Sequence, residues 1–392
     1  MIEGVNNPQN KDRIAIIAVG YNRKKSLARL LDSLNNAHYP SNDIPLVISI
    51  DASGDQELYD YVKSYDWNHG TKYLNIQQER LGLKNHILQC GDLTQYFKAV
   101  ALFEDDLWVS PFFYSYLTAA VDKYGDDERI CQIALYRNES LGGSGFYFDT
   151  LHDGTDCFLW KDVCTWGECW TKQMWERFRQ WNESHDETYV NSVDMPESFK
   201  QWTRAWSKYY IAYGIDTHKY IVFPHESLST NFNDAGGEHG GGNTTVQVNV
   251  LHGERKYHFN EVDKMIRYDI YTNNESLYDW VPEKYHNHTC LDLYGLRSDY
   301  QGKRYVLSMM KLPYEVVEQW GLTMRPVELN VLYRIPGDGI RLYDTSKVGK
   351  IHGKGFLKEV VPYMLRGFYP KLLLGYVKSF YSEVIKKKFR LK

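Results

Sequence analysis

Residues 99–117 read AVALFEDDLWVSPFFYSYL, and this stretch decides the fold. Its first five residues are apolar, which predicts a buried β-strand over 99–103. Three carboxylates, Glu104, Asp105 and Asp106, follow at once. The sequence therefore predicts a strand of the core whose end carries an acidic cluster.

The chain on the amino-terminal side repeats this arrangement of apolar strands separated by helical stretches. RIAIIAV at 13–19 and PLVISI at 45–50 predict two further buried strands. The remaining predicted elements are a strand at 72–77 and helices at 26–34, 57–64 and 83–91. Strands that alternate with helices predict an α/β fold with a doubly wound, mostly parallel sheet.

Acidic residues at the ends of these strands mark the expected site, because ligands of such sheets bind at the carboxyl ends of the strands. Asp51 ends the second strand and the acidic triplet ends the fourth. Carboxylate oxygens hold Mg²⁺ or Mn²⁺, and such a cation neutralises a diphosphate. We therefore expect Asp106 to ligate a divalent metal. Strand alternation predicts that its neighbours Glu104 and Asp105 do not all point the same way.

Five motifs occur in the order of a known family and cover roughly residues 13–240. They read AVGYNR (18–23), SIDASG (49–54), FEDDLWVSPFFYSYL (103–117), CTWGECW (164–170) and PHESLSTNF (224–232). They resemble the N-acetylglucosaminyltransferase I class of GT-A glycosyltransferases and related bacterial polysaccharide (family 2-like) glycosyltransferases. The resemblance implies a GT-A-like fold and transfer of a hexose or N-acetylhexosamine from a nucleotide-sugar donor, a UDP-sugar, to a glycan or lipid-linked glycan.

The same resemblance implies roles for individual residues at the donor. Arg23 would meet the donor phosphates, and Asp51 would accept a hydrogen bond from the nucleobase. Asp106 would bind the metal directly, with Glu104 and Asp105 on the ribose and sugar hydroxyls.

Four further residues are candidates in the surrounding loops. Tyr21 stands beside Arg23, and Lys84 lies where a donor-facing loop is expected, so both could contact the donor. Trp166 could stack on a sugar. His239 lies in the glycine cluster 236–242, and it could ligate the metal or bind the diphosphate.

The catalytic base departs from the family pattern. The resemblance places an Asp directly after Trp206, but this chain has Ser207 there, and a serine cannot act as a carboxylate base. Glu168 and Asp194 are the substitutes. An inverting transfer through one of them, a retaining mechanism without such a base, and a non-catalytic module that binds nucleotide-sugar or glycan all remain open. A nucleotidyltransferase is disfavoured because the segment after the first strand is not glycine-rich.

Charge and hydropathy divide the chain into three regions, predicted as a catalytic domain at 1–280, a small accessory region at 281–348 and a basic helical tail at 349–392. The whole chain has a net charge of −4, which argues against a nucleic-acid partner. The tail holds eleven Lys and Arg against two Glu, among apolar and aromatic residues at helical spacing. Such helices suit an anionic membrane surface, or they pack on the catalytic domain or a second subunit.

The polar amino-terminal residues lack the apolar core of a signal peptide, and no stretch is long and apolar enough to span a bilayer. The expectation is a cytoplasmic protein that associates peripherally with the inner face of the membrane through its tail.

Overall fold

The structure is a computed structural model that describes residues 2–141, 147–203, 205–237, 246–350 and 356–364, together with residues 374, 375, 377, 378 and 381. It divides into two compact units. The first comprises Met1–Glu139, Thr150–Asp279 and Leu296–Tyr300. The second comprises Ser140–Asp149, Trp280–Gly295 and Gln301–Lys392.

The first part of the chain alternates strands with helices, and several short helices follow. In chain order the elements are β1 (Ile14–Gly20), α1 (Lys24–Asn35), β2 (Leu46–Ile50), α2 (Gln56–Ser64), β3 (Lys72–Ile76), α3 (Gly82–Gly91), β4 (Ala99–Glu104), β5 (Leu107–Val109), α4 (Phe113–Tyr124), β6 (Ile130–Ala134), β7 (Cys157–Trp160), β8 (Glu168–Thr171), α5 (Lys172–Ser184), α6 (Glu187–Ser192), α7 (Glu197–Lys200), α8 (Trp206–Asp216), β9 (Tyr220–Pro224), β10 (Ser229–Asn231), β11 (Arg267–Tyr268) and α9 (Leu277–Trp280).

The described residues of the first unit form a nine-stranded sheet in the order β11-β7-β9-β6-β8-β4-β1-β2-β3. Strands β1, β2, β3, β4, β6 and β9 run in one direction, and β7, β8 and β11 run in the other. The predicted α/β class with a doubly wound, mostly parallel sheet is confirmed. The seven elements predicted between residues 13 and 103 are also confirmed, each to within two residues at either end.

The core of this unit lies where the apolar runs predict it. All seven residues of β1 and the first five of β4 are buried, and α1 turns Leu27, Leu30, Leu31 and Leu34 into the same interior. A helix with leucines at this spacing buries one face against the sheet. This packing orients α1 and therefore the turn between β1 and α1.

The second unit is built on a separate mixed sheet. Its elements are β12 (Thr289–Leu291), β13 (Tyr305–Ser308), β14 (Tyr314–Trp320), α10 (Leu329–Leu332), β15 (Ile340–Val348) and α11 (Phe356–Met364), and the strands lie in the order β12-β13-β15-β14. Helix α11 is anchored to this unit, because Val360 and Met364 are buried and the Tyr363 hydroxyl donates to the Met324 carbonyl over 2.6 Å.

Among the described residues, no helix has the length and apolar character needed to cross a membrane.

Candidate functional site

The ends of four central strands meet at one edge of the large sheet. Residue Gly20 of β1 lies opposite Ile50 of β2, and Val19 lies opposite Glu104 of β4. Strand β8 runs antiparallel to β4, so its first residue, Glu168, lies at this same edge. The antiparallel direction of β8 therefore places the 164–170 motif beside the acidic triplet.

Arg23 bridges two carboxylates of the triplet. Its Nε lies 3.2 Å from Oδ2 of Asp105 and its Nη2 bonds Oδ1 of that residue, while its Nη1 lies 3.2 Å from Oδ2 of Asp106. The expectation from strand alternation does not apply to Asp105 and Asp106, because strand β4 ends at Glu104 and the chain turns there, so the pleat no longer sets their side-chain directions.

Residues after β10 complete the surroundings of Asp106. The Asn231 amide donates to its Oδ1 over 3.3 Å, and the Phe232 backbone N–H donates to its carbonyl over 2.9 Å. Strand β10 pairs with β5, which directly follows the triplet, and this pairing sets the position of Asn231. Asp106 is thus held from two distant parts of the chain.

Asp234 forms a clamp beside this cluster. Its carboxylate accepts from the Ser26 hydroxyl over 2.6 Å and pairs with the Arg29 guanidinium, while its backbone carbonyl accepts from Nη1 of Arg23 over 3.3 Å. Neither Arg29 nor Asp234 was identified from the sequence. The polar run NFND before the glycine cluster is the signal that could have marked Asp234.

Burial and charge act in opposite directions on these carboxylates. Burial raises the pKa of Asp105 to about 6, although the neighbouring Arg23 guanidinium lowers it. Burial also acts to raise the pKa of Asp234, but hydrogen bonds from Arg29 and Ser26 outweigh it and leave that pKa lowered. Among the described residues, Arg23 and Arg29 balance the negative charge of this cluster, and Ser26 and Asn231 add hydrogen bonds to its carboxylates.

Asp51 lies at the neighbouring strand end and holds the start of α3. Its Oδ1 accepts from the backbone N–H groups of Ala52 and Leu81 over 2.9 and 2.8 Å, and its Oδ2 accepts from Gly82 over 2.9 Å. An ionised carboxylate offers about four acceptor sites, so these three bonds leave room for one more. Asp51 is buried, and its role at the nucleobase stays a prediction.

Tyr21 and Lys84 both make cation–π contacts. The Arg80 guanidinium lies 4.8 Å from the centroid of the Tyr21 ring, and the Lys84 Nζ lies 3.7 Å from that of Tyr209 on α8. Burial lowers the pKa of Lys84. In this conformation Lys84 packs on a helix, and its contact with donor phosphate stays a prediction.

Glu168 is wholly buried, and no side chain among the described residues donates a hydrogen bond to its carboxyl. Burial raises its pKa well above the ordinary value and the charge of Glu104 raises it further, while the backbone N–H groups of Gly167 and Glu168 act to lower it. Buried carboxyls are usually held by side-chain partners, so one without them and with a shifted pKa is a candidate functional residue.

The turn before Glu168 is tightly fixed. Gly167 has a φ of +97°, and a Cβ there would lie 2.9 Å from the Ser229 hydroxyl and 3.1 Å from the Leu135 side chain. The Ser229 hydroxyl also donates to the Trp166 carbonyl over 2.6 Å, and the Trp166 ring packs edge-on against Tyr136. Trp166 is half-buried, which leaves part of its ring for a ligand.

The other two positions considered for the base differ from Glu168. Oδ1 of Asp194 accepts from the Tyr271 hydroxyl over 2.7 Å, and its Oδ2 pairs with Arg297 over 3.0 Å. Ser207 is buried in the first turn of α8, next to Trp206, whose ring packs against Trp170. Of the two carboxylates, Glu168 therefore lacks the side-chain partners that hold Asp194.

The carboxylate pair fits a divalent cation that also binds a ligand phosphate. No group of three or more His, Cys, Asp and Glu suited to a metal occurs within the described residues, and His239 lies outside them. Mg²⁺ commonly takes one or two protein carboxylates and completes its shell with water and substrate phosphate. Asp105 and Asp106, which already face a cationic guanidinium, offer such a pair.

No protein-family model and no curated protein sequence matches the chain. Among solved structures, TarS of S. aureus in complex with UDP-GlcNAc is similar at 14% identity and a TM-score of 0.37, over 55% of this chain and 57% of its own. The mannosyltransferase PcManGT of Pyrobaculum calidifontis, with GDP-Man and Mn²⁺, matches at 14% identity and 0.31, over 45% and 49%.

A third structure, GalNAc-T7 with UDP, GalNAc and Mn²⁺, matches at 12% identity and a TM-score of 0.37, over 55% of this chain and 43% of that one. These structural neighbours are glycosyltransferases. The matched region spans less than two thirds of each of them.

Proposed function

We propose that this chain is a metal-dependent glycosyltransferase that moves a sugar from a nucleotide-sugar donor, a UDP-sugar, to a glycan or lipid-linked glycan. One observation carries the proposal: Arg23, Asp105 and Asp106 from two strand ends form a single charged cluster at the ligand-binding edge of the sheet. A guanidinium beside two carboxylates supplies both a phosphate-binding fork and a metal-binding pair.

The donor would lie across the ends of β1, β2 and β4. The remaining acceptor site of Asp51 suits an N–H of a uracil-type base, while Tyr21 and Arg80 provide a ring and a planar cation beside it. Arg23 would bind the diphosphate, and Glu104 would face the ribose and sugar hydroxyls. Asp105, which the resemblance also places on those hydroxyls, would instead join Asp106 at the metal, because both carboxylates converge on Arg23. Trp166 would contact the transferred sugar.

Asp106 would hold the Mn²⁺ or Mg²⁺, with Asn231 keeping its carboxylate in place. The metal would supply positive charge that offsets the charge developing on the departing diphosphate. Asp106 contributes by fixing where that charge is neutralised, and Arg23 adds hydrogen bonds to the same group.

We propose an inverting transfer in which Glu168 accepts the proton of the acceptor hydroxyl. The observation that favours Glu168 over Asp194 is that no side chain among the described residues donates to its carboxyl, whereas both oxygens of Asp194 already accept hydrogen bonds from side chains. Glu168 must lose its own proton before it can act as a base, so we expect the transfer rate to rise with pH through its raised pKa.

The tail supports a membrane-proximal acceptor. Leu374, Val377 and Tyr381 are exposed, with relative accessibilities of 67%, 45% and 64%, and they recur in the sequence at helical spacing. Together with the basic residues of 349–392, they suit peripheral binding to an anionic membrane that carries a lipid-linked acceptor.

A second candidate function is a module that binds nucleotide-sugar without transferring it, and Ser207, in place of the family's base, favours it. Both candidate functions require the protein to bind a nucleotide sugar, and a thermal-shift screen of nucleotide sugars with and without Mn²⁺ tests this binding. We expect a UDP-sugar to stabilise the protein only when the metal is present. Stabilisation by no nucleotide sugar would contradict both.

A further inference from the structure

The cluster at the strand ends contains its own cation. Arg23 makes hydrogen bonds or ion pairs with both Asp105 and Asp106, and its side chain is only 17% exposed. A Cβ on Gly237 would lie 2.9 Å from its Nη1, so the backbone of the turn after Asp234 lies directly against the guanidinium. The arginine is thus enclosed between the carboxylates and this turn.

Adding a second cation to this cluster costs electrostatic free energy. Arg29 neutralises Asp234, which leaves one positive guanidinium facing the two negative carboxylates of Asp105 and Asp106. A divalent ion added beside Arg23 would meet a like charge a few ångströms away, and like charges at that distance repel strongly in a partly buried site.

We propose that Arg23 is an internal counter-ion that competes with the divalent metal for Asp105 and Asp106. In the donor-free protein Arg23 neutralises the carboxylates and keeps metal affinity low. A diphosphate offers the same guanidinium an equivalent pair of acceptor oxygens, so Arg23 exchanges partners and the carboxylates become free for the metal. This exchange makes the binding of metal and donor cooperative, and that part of the inference rests on the proposed function.

The experiment measures Mn²⁺ affinity directly, by electron paramagnetic resonance of the free ion, with no nucleotide present. The Arg23→Gln variant keeps hydrogen-bonding capacity but removes the charge. We expect it to bind Mn²⁺ about tenfold more tightly than the unaltered protein, which corresponds to about 1.4 kcal/mol. The matched control is Arg29→Gln, which leaves Arg23 on Asp105 and Asp106 but uncovers the charge of Asp234, so its gain in Mn²⁺ affinity should be clearly smaller than that of Arg23→Gln.

A second variant guards against misfolding. Arg23→Lys keeps the charge but cannot bridge two carboxylates with a planar fork, so its Mn²⁺ affinity should fall between those of Arg23→Gln and the unaltered protein. Equal Mn²⁺ affinity in the unaltered protein and both Arg23 variants, or an equal gain in Arg29→Gln, would overturn the inference.

Adding UDP tests the exchange of partners. In the unaltered protein UDP should raise Mn²⁺ affinity by about tenfold or more, and in Arg23→Gln this gain should shrink, because the carboxylates are already free. An equal gain in both proteins would overturn the exchange. If UDP binds neither protein, the proposed function fails, while the nucleotide-free comparison still decides whether Arg23 competes with the metal.

Discussion

Glu168 and Glu104 lie on the same face of the large sheet, because Glu168 of β8 is directly opposite Leu102 of β4 and Glu104 follows Leu102 by two residues. The charge of Glu104 and the burial of Glu168 both raise the pKa of Glu168. One face of this sheet edge therefore carries the buried carboxyl of Glu168, whose pKa is raised, beside the half-buried carboxyl of Glu104.

The raised pKa makes Glu168 a source of pH-dependent instability. The unfolded chain loses this proton above about pH 4.5, whereas the folded protein keeps it, so stability falls as pH rises from there to the folded pKa. The slope is at most about 1.4 kcal/mol per pH unit for one proton. Glu168→Gln removes this titration. In urea unfolding, the free energy of unfolding of the variant should therefore rise relative to that of the unaltered protein between about pH 4 and pH 8. A stability difference that does not change with pH would contradict the buried, protonated state of Glu168.

The same variant tests the catalytic role. If Glu168 takes the acceptor proton, Glu168→Gln should lower kcat by ~10²–10⁴-fold while donor affinity changes little. The acidic limb of the pH–rate profile of the unaltered protein should lie well above the pKa of an ordinary glutamate. Asp194→Asn is the control, because that carboxylate is already paired with Arg297, and it should turn over normally. Normal kcat in both variants would favour a retaining route.

Asp51→Asn should affect stability and nucleotide binding together. In this variant an amide nitrogen would face a backbone N–H that now donates a hydrogen bond to Asp51. The N–H left unpaired costs about 1–3 kcal/mol of folding free energy. Calorimetry of unfolding and of UDP binding measures the two effects. Asp55→Asn is the matched control, because Asn caps α2 as well as Asp does and should leave both quantities unchanged. UDP affinity that survives Asp51→Asn intact would exclude Asp51 from the nucleobase site.

The tail should carry the membrane affinity beyond α11. Truncation after residue 364 keeps helix α11 with its buried Val360 and Met364 and removes the rest of the basic apolar segment. We expect the full chain to sediment with anionic liposomes and the truncated chain to stay in solution. Replacing Leu374, Val377 and Tyr381 with Ser should weaken binding similarly, and uncharged liposomes serve as the control. Equal sedimentation of all three proteins would eliminate the membrane role.

The sequence predicted what local patterns determine. The apolar runs predicted the parallel strands, because a buried strand needs an uninterrupted apolar stretch with polar residues at its end. Asp51 and the acidic triplet were placed at strand ends for the same reason. The α11 segment was predicted as helical from its apolar spacing. Its packing within the second unit was not predicted, because the alternatives for the tail were a membrane surface, the catalytic domain or a second subunit.

Contacts between distant parts of the chain could not be predicted in this way. Asp234 pairs with Arg29 across 205 positions, and no local pattern encodes that pairing. Strand β8 enters the sheet antiparallel between β4 and β6, which a rule of alternating strands and helices does not anticipate. The turn after Glu104 brings Asp105 and Asp106 to one arginine, and strand alternation could not predict this because the strand ends before them.

Release of UDP from UDP-sugars tests the central claim most directly. The unaltered protein should release UDP from at least one UDP-sugar in the presence of Mn²⁺. The release should stop when a chelator removes the metal, and it should be lost in Asp106→Asn at unchanged thermal stability. The account would be contradicted by UDP release that persists at full rate under chelation or in Asp106→Asn, or by a protein that releases UDP from no UDP-sugar.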